Sequence, residues 1–260
     1  MKKINIIILR NIIVFRRCFK VTNYYSYIKT DDTYLDNASH ATYKGIAIKT
    51  SILLGYTIIV GILSAILLKN LPGSSLELYL GGLGFAVMIG AISAIIGRIS
   101  YSAAKVCSFI YSTAYGAFLG VLTAIIDMYY PHAGTLAMTA TVIIFAVMLL
   151  LYAFGFIRNS SIIRTIFFGL VFGILALMIF DFIYVLVTGS TNVTLYFIIQ
   201  GLLLAYGVIS LTFNFAEAEA VTKMGAPKSA EWSVALGMLV SLIYIYIQVL
   251  KIILIFMDRR

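Results

Sequence analysis

Long apolar runs separated by short polar breaks are the dominant pattern of the chain. A helix that spans a bilayer needs about 20 mostly apolar residues. Seven stretches meet that requirement: 46–68, 78–99, 106–127, 134–157, 163–187, 194–216 and 233–256. The breaks carry ordinary turn residues and none is long enough to form a domain. The pattern predicts an all-α polytopic membrane protein, with one seven-helix domain over 46–257 and a short tail at 258–260.

Composition excludes a water-soluble globular protein. Hydrophobic residues make up 62% of the chain and charged residues 11%, against about 45–50% and about 25% in soluble domains. So few charged side chains cannot cover a surface that faces water. The cysteines, Cys18 and Cys107, lie in separate segments, which excludes a disulfide framework or a cysteine-based metal cluster.

A basic leader precedes the first span, over residues 1–45. It begins MKKINIIILRNIIVF, like a signal peptide, but Arg10 interrupts the apolar run and no small-residue cleavage site follows. Two interpretations remain: a basic segment that lies on the membrane surface or is disordered, and a targeting signal. The net charge of +9 does not indicate a nucleic-acid partner, because nine of the 19 Lys and Arg residues precede residue 50.

The loop charges predict a cytoplasmic N-terminus, and we expect the membrane to be the plasma membrane. Lys and Arg in short loops resist translocation. In this orientation the inner side carries the leader and three basic pairs: Arg98 with Lys105, Arg158 with Arg164, and Lys223 with Lys228. The outer loops carry Lys69, and seven spans place Arg259 and Arg260 outside, against the rule. Either the N-terminal charges dominate, or the last segment is re-entrant and returns the tail to the cytoplasm.

Two spans contain the GxxxG motif, Gly116 with Gly120 and Gly169 with Gly173. Small residues let helices approach closely in lipid, so we expect helix packing at both motifs. The alternative is a place in a moving or pore-lining helix. Enzyme motifs such as HExxH, GxSxG and the P-loop do not occur in the sequence, and we expect no catalysis, no metal and no cofactor.

Polar residues inside the spans are the candidates for function, because an ionisable group in hydrocarbon costs about 2.5–3.5 kcal/mol on insertion scales. Asp181 lies in the fifth span, and Lys251 lies at a similar depth in the seventh. Asp181 either pairs with Lys251 or acts as a titrating, ion-contacting group. Gln248 lies three residues before Lys251, on the same helix face.

Acidic residues also stand at the ends of two predicted spans. Glu217 and Glu219 close the sixth span, either as a solvated helix end or as partly desolvated acids. Asp127 closes the third, where an interfacial position beside Tyr129 and Tyr130 is the simpler interpretation.

Several segments resemble the bacterial branch of the Bax inhibitor 1-like family, the transmembrane Bax-inhibitor-motif proteins. They follow in the family's order: ATYKGIAIKTSILL (41–54), YSTAYGAFLG (111–120), DMYYPHAG (127–134), FAVMLLLYAFGFIR (145–158), EAEAVTKMGAPKSAEW (217–232) and YIYIQVLKII (244–253). The resemblance implies a fold in which the last of seven helices is central. It also implies a pH-sensitive calcium or cation leak, with paired acids on the sixth and seventh helices as the proton sensor.

Carried onto this chain, the sixth-helix acid is Glu217 or Glu219, and the seventh-helix position is Gln248. Glutamine cannot titrate, so the paired-acid sensor is incomplete here. We therefore expect a pH-modulated calcium or cation leak channel lined or gated by Asp181, Glu217, Glu219, Gln248 and Lys251. The alternative is a non-conducting regulator that binds a membrane-bound AAA protease or another membrane partner.

Overall fold

The computed structural model describes residues 40–70, 73–154, 161–190 and 192–258, and this part of the chain forms seven α-helices. They are α1 (Tyr43–Asn70), α2 (Gly73–Ile99), α3 (Tyr101–Tyr129), α4 (Ala133–Ala153), α5 (Ser161–Thr188), α6 (Val193–Lys223) and α7 (Ala230–Asp258). The N-terminal leader up to residue 39 lies outside the described residues, as do Arg158, Arg259 and Arg260.

All seven helices are long and apolar enough to cross a bilayer. Their outward faces carry large hydrophobic side chains such as Ile62, Phe85 and Val142, each more than half exposed. In water these faces would be unstable, whereas in lipid they contact acyl chains. The predicted all-α, seven-helix membrane fold is confirmed.

The last helix is the centre of the bundle. α7 packs against α1, α2, α3, α4 and α6, while α5 packs chiefly on α6. In the most apolar stretch of each helix, 44% of α7 is buried, against 6% of α5. The predicted central position of the last helix is therefore confirmed, with α5 at the periphery.

The sixth helix is longer than the sequence pattern predicted. The predicted span ended at residue 216, but α6 continues to Lys223 through AEAEAVTK. Ala, Glu and Lys favour helix, so the backbone remains helical after the apolar run ends. Glu217 and Glu219 consequently lie within α6. The fourth span was predicted to end at residue 157, whereas α4 ends at Ala153.

Glycines allow α1 and α3 to pack at close range. A Cβ atom on Gly120 would overlap the Gly61 carbonyl, and one on Gly116 would lie 2.7 Å from the Thr57 carbonyl oxygen. Gly169 and Gly173, on α5, have no neighbouring atom within 4 Å of such a Cβ position. The first GxxxG motif therefore lies at a helix–helix contact, and the second faces outward in the monomer.

Candidate functional site

Polar groups concentrate at the end of the bundle where α1, α3 and α7 begin and α2, α4 and α6 end, which we call the proximal end. The opposite end, where α1 finishes, is the distal end. At the proximal end, Arg98 Nη2 donates to Glu217 Oε2 at 2.7 Å, and Arg98 Nη1 donates to the Ser233 carbonyl oxygen at 3.2 Å. Arg98 thus joins the ends of α2 and α6 to the first turn of α7.

The Arg98 guanidinium reaches its position across a glycine. A Cβ atom on Gly237 would lie 2.5 Å from Arg98 Nη1 and 2.7 Å from Asn214 Oδ1. Without a side chain at residue 237, the guanidinium and the Asn214 amide both lie against the α7 backbone. The Arg98 and Glu217 side chains are 35% and 31% exposed, so the surrounding helices do not enclose this ion pair.

A line of uncharged polar side chains continues from Asn214 along the α6–α7 interface. Asn214 Nδ2 donates to Ser241 Oγ at 2.7 Å, and the Ser210 and Ser241 hydroxyls are 3.2 Å apart. Toward the distal end, Gln200 of α6 and Gln248 of α7 are both 4% exposed. Neither Gln side-chain oxygen has a hydrogen-bond partner among the described residues. We call these five residues the α6–α7 polar column.

The other sixth-helix acid lies outside this column. Glu219 accepts hydrogen bonds from the Tyr152 hydroxyl and from Lys223, one turn further along α6. The Lys223 side chain is 63% exposed. Glu219 therefore belongs to a surface network at the proximal end, two residues from Glu217 and on a different helix face.

A buried acid that the sequence analysis did not single out completes the proximal end. Glu231, in the first turn of α7, is 1% exposed and accepts a hydrogen bond from the Thr42 backbone N–H at 2.8 Å. Lys49 Nζ lies 2.6 Å from its other oxygen. A Cβ atom on Gly45 would overlap this carboxylate. The sequence does show an acid in the first turn of a helix, where the helix dipole favours a negative charge. It does not show that this acid is buried, because a first-turn acid is usually solvated.

The α6–α7 turn is fastened to the start of α1 by further hydrogen bonds. The Ala41 N–H donates to the Ala226 carbonyl at 2.8 Å, and His40 Nδ1 lies 2.9 Å from the Gly225 carbonyl oxygen. Lys49 Nζ donates to the Lys228 carbonyl at 3.0 Å. Gly225 adopts a φ of 65°, a left-handed conformation that glycine tolerates best. These contacts order the chain immediately before the first span.

A comparison with protein families agrees with this architecture. The family model described as Bax inhibitor 1 like matches residues 19–258, which is most of the chain. The protein belongs to the Bax inhibitor 1-like family. No individually curated protein matches the chain.

Within this Bax inhibitor 1-like bundle, Glu217 and Gln248 do not meet. α6 and α7 run antiparallel, with Asn214 beside Gly237 and Ser241, and Gly207 beside Tyr244. At 1.5 Å per residue, this register places Glu217 and Gln248 about 15–20 Å apart along the helix axes. Gln248 lies in the distal part of the α6–α7 polar column, and Glu217 lies beyond its proximal end.

Among the described residues, Asp181 and Lys251 do not form an ion pair. The ion pairs among the described residues are Lys49–Glu231, Arg98–Glu217 and Lys223–Glu219. Asp181 lies on α5, which packs chiefly on α6, whereas Lys251 lies on α7. Both side chains are half-buried. Equal depth in the membrane did not bring them together, because α5 is peripheral.

Asp127 lies at the distal end and caps the next helix. Its Oδ1 accepts a hydrogen bond from the Gly134 N–H at 3.0 Å, in the first turn of α4. This contact gives the carboxylate a structural role at the interface, close to the Tyr129–Tyr130 pair. Asp127 also lines a cavity between the helices.

Proposed function

We propose that the protein is a proton-modulated calcium or cation leak in which Arg98 and Glu217 close the α6–α7 polar column. The observation that carries this proposal is the position of that ion pair at the proximal mouth of the column. Amide and hydroxyl oxygens are hard ligands of the kind that Ca²⁺ prefers. An uncharged polar lining also avoids the high cost of a fixed charge in the middle of the bilayer.

In the closed state the guanidinium supplies a positive charge at the mouth, and Asn214 and Ser241 bond directly across the interface. A cation entering from the proximal side first meets the guanidinium, and the Ser241 hydroxyl oxygen already accepts a hydrogen bond from Asn214 Nδ2. Glu217 holds Arg98 in place. The ion pair therefore works against conduction while Glu217 is ionised.

A proton on Glu217 removes the charge that retains Arg98. The guanidinium keeps its single bond to the Ser233 carbonyl and is already one-third exposed, so it can turn toward water. Acidification should therefore increase flux. Gln248 cannot take part in this switch, since glutamine has no charge to lose.

The test is calcium flux into liposomes that contain this protein alone, measured with an entrapped dye between neutral and acidic pH. Wild-type flux should rise on acidification. Glu217→Gln should raise the neutral-pH flux to the acidic wild-type level and flatten the pH profile. The double change Glu217→Gln with Glu219→Gln should behave like Glu217→Gln alone.

Glu219→Gln is the matched control, because it removes an acid from the same helix but outside the column. It should keep the wild-type pH profile. Flux that stays at the empty-liposome level at every pH would contradict a leak. The absence of a second acid at Gln248 would then favour the alternative function, a non-conducting regulator of a membrane-bound AAA protease, tested by co-purification from native membranes.

A further inference from the structure

A cavity of about 560 Å³ opens in the distal half of the bundle. Its lining comes from α1, α3, α4 and α7. Since α3 and α7 each pack against both α1 and α4, the cavity lies between α1 and α4. Its volume is within the range of small-molecule sites, roughly 300–1,000 Å³. None of the residues in the α6–α7 polar column lines it.

The cavity is elongated and opens toward lipid. On α1 it extends from Lys69 at the distal end to Leu54, which is about 22 Å along the helix axis. One leaflet of a bilayer has a hydrocarbon thickness of about 15 Å. At its rim, Ile62 of α1 and Val142 of α4 are 56% and 58% exposed. These apolar side chains face acyl chains in a membrane, so a lipid tail can enter from the side.

Two opposite charges stand at the distal end of this cavity. Lys69 lies in the last turn of α1 and is exposed. Asp127 lies near the end of α3, and its Oδ1 is bonded to the Gly134 N–H. Its Oδ2 makes no hydrogen bond within the part of the chain that the structure describes. The cavity therefore has a cationic and an anionic group where a lipid headgroup would lie.

We propose that this groove binds one acyl chain of a phospholipid whose headgroup carries both a phosphate and a primary ammonium, the phosphatidylethanolamine class. Lys69 faces the phosphate, and Asp127 Oδ2 accepts a hydrogen bond from the ammonium. A choline headgroup has the same charges but no N–H to donate. A glycerol headgroup lacks the cation. The headgroup chemistry thus selects the ligand, while the groove supplies apolar contact.

The test is competitive lipid retention. The full chain is reconstituted with equal amounts of phosphatidylethanolamine, phosphatidylcholine and phosphatidylglycerol of the same acyl chains, extracted in mild detergent, and its bound lipids are counted by native mass spectrometry. Phosphatidylethanolamine should be retained about two- to fivefold over the other two, the range expected for an exposed charged contact. Asp127→Asn keeps an oxygen for the Gly134 N–H and should abolish this preference.

Asp258→Asn is the matched control, since it removes a distal-end carboxylate outside the cavity, and it should retain the preference. Val142→Trp narrows the groove from its lipid-facing rim without touching the core, and should lower retention of all three lipids. Equal retention of ethanolamine and choline lipids by the wild type would overturn the proposal. So would a preference that survives Asp127→Asn, or full lipid retention in Val142→Trp.

Discussion

Glu231 in the first turn of α7 and Lys49 in the second turn of α1 form an ion pair at 2.6 Å, with side chains 1% and 13% exposed. The pair joins the central helix to the first span, and the Thr42 N–H and hydroxyl donate to the same carboxylate. Lys49 also lies 5.0 Å from the centre of the Trp232 ring. A buried charge is stable only with partners of this kind.

Glu231→Gln should therefore destabilise the protein strongly, because it leaves Lys49 buried without its counter-charge. Loss of one partner of a buried pair costs about 3–5 kcal/mol. Lys49→Met should have a similar effect, and the double variant should recover part of the loss. Thermal unfolding in detergent measures this, and a change below about 1 kcal/mol in Glu231→Gln would show that the pair is not stabilising.

Gly120→Ala should separate α1 from α3. The added methyl group would overlap the Gly61 carbonyl, and backbone cannot yield as a flexible side chain can. Overpacking of this kind costs about 1–3 kcal/mol. Gly173→Ala is the matched control in the second GxxxG motif, where the added methyl group meets no atom.

Gly173→Ala should leave stability unchanged or raise it by about 0.5–1 kcal/mol, because alanine loses less backbone entropy than glycine in a helix. Both variants can be compared by thermal unfolding of the detergent-solubilised protein. If both variants lost the same stability, the two GxxxG motifs would have the same role. That result would contradict a close helix contact at the first motif alone.

Asp181→Asn and Lys251→Met should have additive effects on stability. The structure places these residues on helices that are not close neighbours, and distant sites add within about 0.3–0.5 kcal/mol. A double-mutant cycle in detergent gives the coupling energy. A coupling energy above about 1 kcal/mol would instead indicate that Asp181 and Lys251 form the ion pair that the sequence suggested.

The loop charges predict a cytoplasmic proximal end. In a Cys18→Ser, Cys107→Ser background, Ser190→Cys at the distal end should react with a membrane-impermeant thiol reagent added outside the cell. Lys228→Cys in the α6–α7 turn should react only after the membrane is opened. Both positions are exposed. The reverse pattern of labelling would show that the proximal end faces outside.

The seven spans could be predicted from the sequence because each long apolar run must form a helix in lipid, where every backbone polar group needs an internal partner. Family membership followed from ordered segments such as EAEAVTKMGAPKSAEW. Span ends were less certain. The apolar run ends near Phe215, but α6 continues to Lys223 because the residues that follow favour helix.

Partners across the bundle were decided by tertiary structure. Asp181 and Lys251 looked equivalent in depth, yet the peripheral position of α5 separates them. Arg98 and Glu217 are 119 residues apart and meet because Gly237 leaves room for the guanidinium. In the sequence, Glu231 is an ordinary first-turn acid. In the structure, the start of α1 covers its carboxylate. The depth of a residue in a membrane follows from counting residues along one helix. Contact between residues on different helices depends on how the helices are arranged around one another. Hydropathy contains little information about that arrangement.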